Sequence, residues 1–537
     1  MDVYDYILVG GGSSACVAAS RLVTAGAKVL MLERGPRRAN PIMHFPAGYM
    51  KFLARDTYLM MHETEPQAQL DGRAPTVPQG RVLGGGGTVN AMVYMRGQRE
   101  DYADWNRAIG GNGTGDWDWD DLLAYYTGQE DNDHLGGPLH GVGGPLKISH
   151  LGHTSPMTRA WLKTMQGMGI PYTPDFNDGD PRGVGLMQHT MDWTGRRRCS
   201  PVDAFLAPVM DRPNLKVITG ATVEKVILEG KRAVGVSWKQ AGQVYPARAG
   251  EVLLAAGAYQ TPKLLMLSGI GPEAELRRHG IAVDVRLEGV GANLQDHYEC
   301  PVVATTNGAY GYYGQDKGLK MILAGLQYLL FKSGPATTTG VESCAFLDPK
   351  GAGGRPTVQM FCVPTVYLDR DVTGKDPGHG VTINSLLLQP KSRGSVRLRS
   401  RNPEALPVVD PQIFADQRDL ETTIAGLRFA RRVLEETPMK ELIETEIFPG
   451  IDVTSDAALG AHCRRTVKTG YHPVGTCRMG AEDDPLAVLD PSLRVRGTEG
   501  LRVIDASMMP NIVSGNTNAA AMAVGDKAAT LILGSQR

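Results

Sequence analysis

A chain of 537 residues is too long for one simple hydrophobic core, so two or more structural units are expected. Its 56 Lys and Arg against 57 Asp and Glu leave a net charge of −1, which implies no polyanion-binding surface and argues against nucleic acid as a partner. Hydrophobic residues at 42% and charged residues at 21% fit an ordinary soluble globular protein. The chain opens on an apolar strand, Tyr6-Ile7-Leu8-Val9, a glycine turn from Gly10 to Gly12, a helical stretch from Ser13, and a second apolar strand ending in Glu33. Each part suits a bound dinucleotide. Gly10 permits the tight turn, Gly12 lets the backbone approach a pyrophosphate, Ala15 lets the helix pack closely on the strand, and the helix N-terminus offers free N–H groups. Glu33, eighteen residues after Ala15, can accept hydrogen bonds from a ribose diol and would repel a 2′-phosphate, which disfavours NADP.

Further along, Gly84-Gly85-Gly86-Gly87 is expected to be a loop lying against a ligand, because four consecutive glycines are costly inside a helix or strand. Trp105 to about Tyr126 carries a helical pattern of aromatic residues that reads as core packing. Leu215–Gly220, Val223–Leu228, Ala233–Trp238 and Glu251–Ala255 read as strands, and a helix is expected to start at Thr261-Pro262. From about Glu299 the texture changes. Val358–Val366, Val381–Gln389 and Ser395–Arg399 read as strands of a mainly antiparallel sheet, with Pro390 to Gly394 turning between the last two. Asp419–Glu435 reads as a helix, Gly500–Asp505 as a strand ending in an acid, and Asn518–Gly534 as a helix packed on a sheet.

Seven cysteines (Cys16, Cys199, Cys300, Cys344, Cys362, Cys463 and Cys477) are dispersed with no C-x-x-C pair, which argues against a disulfide framework and a zinc site. No metal is expected, and a reducing, cytoplasmic compartment fits best. The first strand begins almost at once, so no cleaved secretion signal is expected, and no apolar run reaches the length of a membrane span.

Five longer motifs stand in order: Gly80-Arg81-Val82-Leu83-Gly84-Gly85-Gly86-Gly87-Thr88-Val89-Asn90; Gly257 to Gly271; Gly289 to His297; Tyr471-His472-Pro473-Val474-Gly475-Thr476; and Ser514-Gly515-Asn516-Thr517-Asn518. Together with the opening turn they resemble the glucose–methanol–choline (GMC) family of FAD-dependent oxidoreductases, from residue 5 to about 530. The resemblance implies an α/β fold: a Rossmann-like FAD-binding domain assembled from residues 1–150, 201–298 and 461–537, and an α+β substrate domain with a mainly antiparallel sheet from residues 151–200 and 299–460. It implies FAD, which the opening fingerprint alone does not distinguish from NAD. By this resemblance Gly10, Gly12, Ser13, Ser14 and Ala15 border the pyrophosphate and Glu33 the adenosine ribose, while Val223 touches adenine through its backbone. Gly84, Gly85, Gly86, Thr88, Val89 and Asn90 lie along the pyrophosphate and flavin edge. Asp505 and Ala506 fall near the ribityl chain, Thr517 and Asn518 near the pyrimidine end of the flavin, and Arg34, Arg81, Ala256 and Gly257 complete the cofactor set. Some family members attach FAD to a His where this chain has Val89, so dissociable FAD is expected.

Oxidising an alcohol requires a base within about 2.6–3.2 Å of the hydroxyl, and His472 is the best candidate because His changes charge near neutral pH. The family's second catalytic position, His or Asn, matches Asn516, which cannot act as a base but can orient the hydroxyl and stabilise charge. His297 is expected to be structural and Cys477 a core residue, and Arg196-Arg197-Arg198 a solvated charge run. Arg478 suits either a phosphate or an ion pair, and Tyr310, Tyr312 and Tyr313 suit either a substrate lid or an exposed loop. The expected reaction is oxidation of a primary alcohol or sugar hydroxyl by hydride transfer to flavin N5, with O₂ or a quinone-type carrier as acceptor. The rivals are a peroxide-producing oxidase, non-redox flavin chemistry such as a lyase or photodecarboxylase, and flavin binding without catalysis. The Tyr and Met residues point to an apolar or aromatic alcohol, while no aromatic and acidic cage for choline is evident. Oligomeric state is not legible.

Overall fold

The structure, a computed structural model, describes residues 3–53, 57–351, 353–368 and 378–535. Its first large sheet grows from the opening motif. Val3–Val9 and Val29–Glu33 pair in parallel and are buried almost throughout, as strands covered on both faces must be. The helix Ser13–Thr24 joins them, with its small residues Ala15, Ala18 and Ala19 fully buried. The sheet runs in the order Leu215–Thr219, Val29–Glu33, Val3–Val9, Gln243–Leu254, Arg232–Gln240, Thr222–Glu229. The long strand Gln243–Leu254 changes partner along its length: its first half pairs antiparallel with Arg232–Gln240, and its end pairs in parallel with Leu501–Val503. The chain thus returns to its starting sheet near its C-terminus.

The second large sheet is antiparallel, in the order Ile443–Phe448, Tyr298–Thr306, Gly380–Leu387, Val358–Val363, Ser343–Leu347, Gly183–Leu186, with Lys468–Thr469 also pairing with Tyr298–Thr306. The helix Gln417–Glu435 shares an apolar core with this sheet through Leu420, Leu427, Ala430 and Val433. The α/β class read from the sequence stands, with one mixed parallel sheet and one antiparallel sheet.

Six local expectations change. Ser395–Arg397 does not join the large antiparallel sheet but pairs with Val408–Asp410 in a two-stranded sheet of its own. The aromatic stretch after Trp105 is two helices, Arg99–Ala108 and Trp119–Gln129, because four glycines from Gly110 to Gly115 break it; Trp105, Trp117 and Trp119 are nevertheless core residues. Gly86–Val89 forms one helical turn rather than a loop, closed by Thr88 N–H to the Gly85 carbonyl at 3.1 Å and Asn90 N–H to the Gly86 carbonyl at 2.9 Å. The helix expected from Thr261 begins at Gly257, whose N–H donates to Asp505 Oδ2 at 2.8 Å, so Pro262 lies inside it. Arg198 is buried and donates to the Met43 carbonyl and to Asn90, so only part of the arginine run is solvated. The helix Asn518–Gly534 packs on the helix Ser13–Thr24, where a Cβ on Gly525 would sit 2.3 Å from the Ser14 carbonyl oxygen. Its two charged residues are internal partners, Asp526 of Arg21 and Gln129, and Lys527 of Asp121.

Candidate active site

A cavity of about 1060 Å³ runs from the first glycine turn to the face of the antiparallel sheet. At the glycine end its wall is backbone. Gly10 has φ +99°, and a Cβ there would lie 2.4 Å from the Ala255 carbonyl oxygen, so only glycine lets the two strand ends meet. At Gly12 the nearest atom to such a Cβ is 3.8 Å away, and at Gly86 nothing lies within 4 Å, so both leave room beside the backbone. No side chain caps the helix Ser13–Thr24, which leaves its first-turn N–H groups for a ligand. The Ser13 hydroxyl donates to Asn518 Oδ1 at 2.6 Å, tying the N-termini of two helices together at the cavity.

The acids of this half are fixed by backbone donors. Glu33 lines the cavity while accepting from Gly11 N–H at 2.7 Å and Gly35 N–H at 2.6 Å. Asp505 accepts from Gly257 N–H, the Thr261 hydroxyl and Ser507 N–H. Of the other residues expected to bind a cofactor, Ser14, Arg34, Arg81, Gly85, Val89 and Asn90 line the cavity. So do Val223, Ala256, Gly257, Ala506, Thr517 and Asn518. Arg34 also pairs with the exposed Glu404. Three lie behind the wall: Ala15 is fully buried in its helix, the Thr88 hydroxyl donates to the Leu83 carbonyl, and Gly84 at φ +88° packs against Thr88.

At the other end the wall is made of side chains. His472 and Asn516 line the cavity together, with Asn516 Nδ2 3.0 Å from His472 Nε2. His472 Nδ1 lies 3.0 Å from His297 Nδ1, and His297 Nε2 lies 3.0 Å from the Leu388 carbonyl oxygen. A carbonyl only accepts, so His297 carries its proton on Nε2 and accepts at Nδ1. His472 must then carry its proton on Nδ1, which leaves Nε2 as a lone pair accepting from the Asn516 amide. Burial lowers His472 to about 4 and holds His297 well below the ordinary imidazole value, so both rings are neutral. Asp296 accepts the His472 backbone N–H at 2.8 Å and the Thr469 hydroxyl, and burial pushes its carboxyl up to about 7. Tyr471, with φ +69°, makes the left-handed step that precedes His472. Among the described residues, Asn516 Oδ1 is buried with no hydrogen-bond partner.

Beside this pair sits a group that sequence reasoning missed. The sheet register sets Glu299 opposite Lys468, and Lys468 Nζ lies 2.5 Å from Glu299 Oε1 with both side chains nearly buried. The same ammonium stands 4.8 Å from the Tyr367 ring centroid and 5.4 Å from that of Tyr471. All four residues line the cavity. Tyr312 and Tyr313 line it too, and the Tyr312 hydroxyl donates to Glu342. Tyr310 lies outside it, bonded to Asn307. Arg478 forms an ion pair with Asp484.

Family models described as GMC oxidoreductase match residues 4–299 and 390–525. The chain belongs to the GMC oxidoreductase family. It is 40% identical to an alcohol dehydrogenase [acceptor] of Pseudomonas putida over 99% of this chain and 96% of that one. It is 36% identical to the mitochondrial choline dehydrogenase of Homo sapiens over 99% of this chain and 90% of that one. Among solved structures, pyridoxine 4-oxidase from Mesorbium loti superposes with a TM-score of 0.89 at 30% identity, covering 98% of each chain. An FAD-dependent oxidoreductase from Chaetomium thermophilum reaches 0.91 at 25% identity, covering 99% of this chain and all of that one. As a GMC oxidoreductase the protein is an FAD-dependent enzyme acting on CH–OH donors. The glycine end fits that cofactor: open space at Gly12 and Gly86, an uncapped helix N-terminus, and a buried carboxylate, Glu33, on the cavity wall.

Proposed function

We propose that this GMC oxidoreductase oxidises a neutral alcohol to its carbonyl, with His472 Nε2 taking the hydroxyl proton and Asn516 holding the oxygen. The observation that carries the reading is the one-way chain of hydrogen bonds from the Leu388 carbonyl through His297 to His472, which leaves the Nε2 lone pair in the cavity. A hydroxyl set between the two side chains donates to Nε2 and accepts from the Asn516 amide. As the proton leaves, negative charge gathers on the oxygen beside that amide, and the imidazolium keeps its Nδ1–H on His297. Bound FAD supplies the acceptor for the carbinol hydride. Glu33, the Gly10–Gly12 turn, Asn90, Asp505 and Thr517 would hold it, and Val89 offers no atom for a covalent link, so the flavin is dissociable.

The Lys468 ammonium supports a neutral substrate. Glu299, Tyr367 and Tyr471 compose an acidic and aromatic cage of the kind that would hold a quaternary ammonium, and the chain's own cation fills it. This favours an alcohol without a charged head over choline.

The test is anaerobic mixing of the yellow holoprotein with a panel of neutral primary alcohols, read as bleaching of the visible flavin band, followed by admission of air. Bleaching is expected, and failure of every alcohol to bleach a protein that binds FAD would overturn the reading. Fast recolouring with peroxide marks an oxidase, slow recolouring a dehydrogenase that passes electrons to another carrier.

A further inference from the structure

The helix Gly318–Phe331 is turned inside out relative to an ordinary surface helix. Its inward side is Ala324 and Gly325, both half-buried, and the buried Tyr328, whose ring packs edge-on against Phe45 at 4.9 Å and whose hydroxyl donates to the Gly195 and Arg196 carbonyls. Its outward side is Leu319, Ile322, Leu323, Leu326, Leu329 and Leu330, spaced as one continuous helical stripe, with Phe331 at its end 72% exposed. Eight of the eighteen exposed large apolar side chains among the described residues fall in this one helix. A patch of this kind on a water-facing surface marks a binding face.

The charges around it are mostly basic, with one exposed acid, Asp316, directly ahead of Lys317. Lys317 and Lys320 stand at its start and Lys332 at its end, and no charged residue lies between Lys320 and Lys332. Lys51 is exposed on the neighbouring segment, where Met50 is exposed too and lines the same cavity. Pairing this helix with a second copy would set three lysines of each copy against three of the other with only Asp316 of each to offset them, whereas lipid phosphates would accept all three. Among the described residues no helix is long and apolar enough to cross a membrane.

We propose that the helix Gly318–Phe331 lays this protein on an anionic lipid bilayer, with its leucine stripe among the acyl chains and its lysines at the headgroups. The helix is about 21 Å long at 1.5 Å per residue, long enough to lie in the interface but too short to span it. The cavity reaches the surface along the same helix, lined by Lys317, Met321, Ala324 and Gly325. Apolar molecules dissolved in the lipid would therefore meet the cavity mouth directly. This docking does not depend on the reaction proposed above.

Flotation of the full-length holoprotein with vesicles of phosphatidylcholine, alone or mixed with phosphatidylglycerol, tests it. Flotation is expected with the anionic vesicles at low salt and to a lesser degree with the neutral ones. Ile322→Glu combined with Leu326→Glu should cut the bound fraction about ten-fold or more while leaving the thermal midpoint unchanged or raised. Lys320→Gln with Lys332→Gln should weaken binding to the anionic vesicles about 30-fold and leave neutral vesicles little affected. Wild-type protein that stays at the bottom of the gradient with anionic vesicles overturns the proposal. So does a wild-type dimer that the double glutamate variant splits into monomers, because a second copy would then cover the stripe.

Discussion

Where the cavity meets the parallel sheet its wall is main chain, closed by Gly10 at φ +99° against the Ala255 carbonyl. Where it meets the antiparallel sheet its wall is side chains, His472, Asn516, Glu299 and Lys468, delivered from separate strands and loops. The first wall is fixed by sterics, and a single methyl group decides whether it forms. The second is adjustable, because the backbone beneath it accepts many side chains and the register alone sets which of them meet. Shape for the cofactor and, on the reading proposed above, preference among substrates are therefore encoded by different kinds of constraint.

The steric wall gives the largest expected effect. Gly10→Ala should yield insoluble or flavin-free protein, since its Cβ would stand 2.4 Å from the Ala255 carbonyl oxygen. Gly12→Ala, whose Cβ meets nothing closer than 3.8 Å, should fold with a near-normal thermal midpoint and lose FAD because the methyl enters the cavity. If both variants retain FAD equally, the first wall is not steric. On the adjustable wall, His472→Ala should slow anaerobic flavin reduction by about 10²–10⁴-fold with flavin content unchanged. Lys468→Met should raise activity on choline relative to its uncharged isostere 3,3-dimethyl-1-butanol by about ten-fold. Wild-type protein that reduces its flavin equally well with both alcohols would remove the internal cation from the account of specificity.

The smallest expected effect is a displaced pH profile. The base proposed above, His472, can take a proton only when neutral, and burial lowers it to about 4, so flavin reduction after a rapid pH jump should stay flat down to about pH 5 and fall with a midpoint near 4. A midpoint near the ordinary imidazole value would place the ring in contact with water. Equilibrium stability behaves differently. His62, His462 and His472 are each lowered to about 4 in the folded state, and the unfolded chain takes up their protons near 6.5. Their contribution to stability is present above about 6.5 and is lost as the pH falls toward 4, which denaturant titrations at several pH values would detect.

This contrast also explains what the amino-acid sequence discloses. The Gly10–Gly12 turn, the strands around it and the acid Glu33 are legible because local backbone geometry demands those residue types in that order. The helix start at Gly257 was not legible, since its first N–H is held by Asp505, which only the tertiary fold brings there. The break after Trp105 is hidden in the sequence because the aromatic spacing runs on across the glycines between the two helices. His472 and Asn516 stand out through their motifs, but the direction of the hydrogen bonds that turns the Nε2 lone pair toward Asn516 depends on the Leu388 carbonyl, which no pattern announces. The pairing of Glu299 with Lys468 is a matter of strand register and has no local trace at all.

One architectural detail reaches beyond catalysis. The strand Gln243–Leu254 takes Leu501–Val503 as its neighbour, and the helix Asn518–Gly534 then locks onto the helix Ser13–Thr24 through Ser13 and Asn518. A segment made early therefore waits for one made several hundred residues later before either is complete, a topology of high contact order that folds slowly. During translation the glycine turn exists before His472 and Asn516, which line the same cavity, have been made. A product truncated ahead of them would hold the glycine end of the cavity without the side-chain end, and on the reading proposed above it would have no group to take the hydroxyl proton.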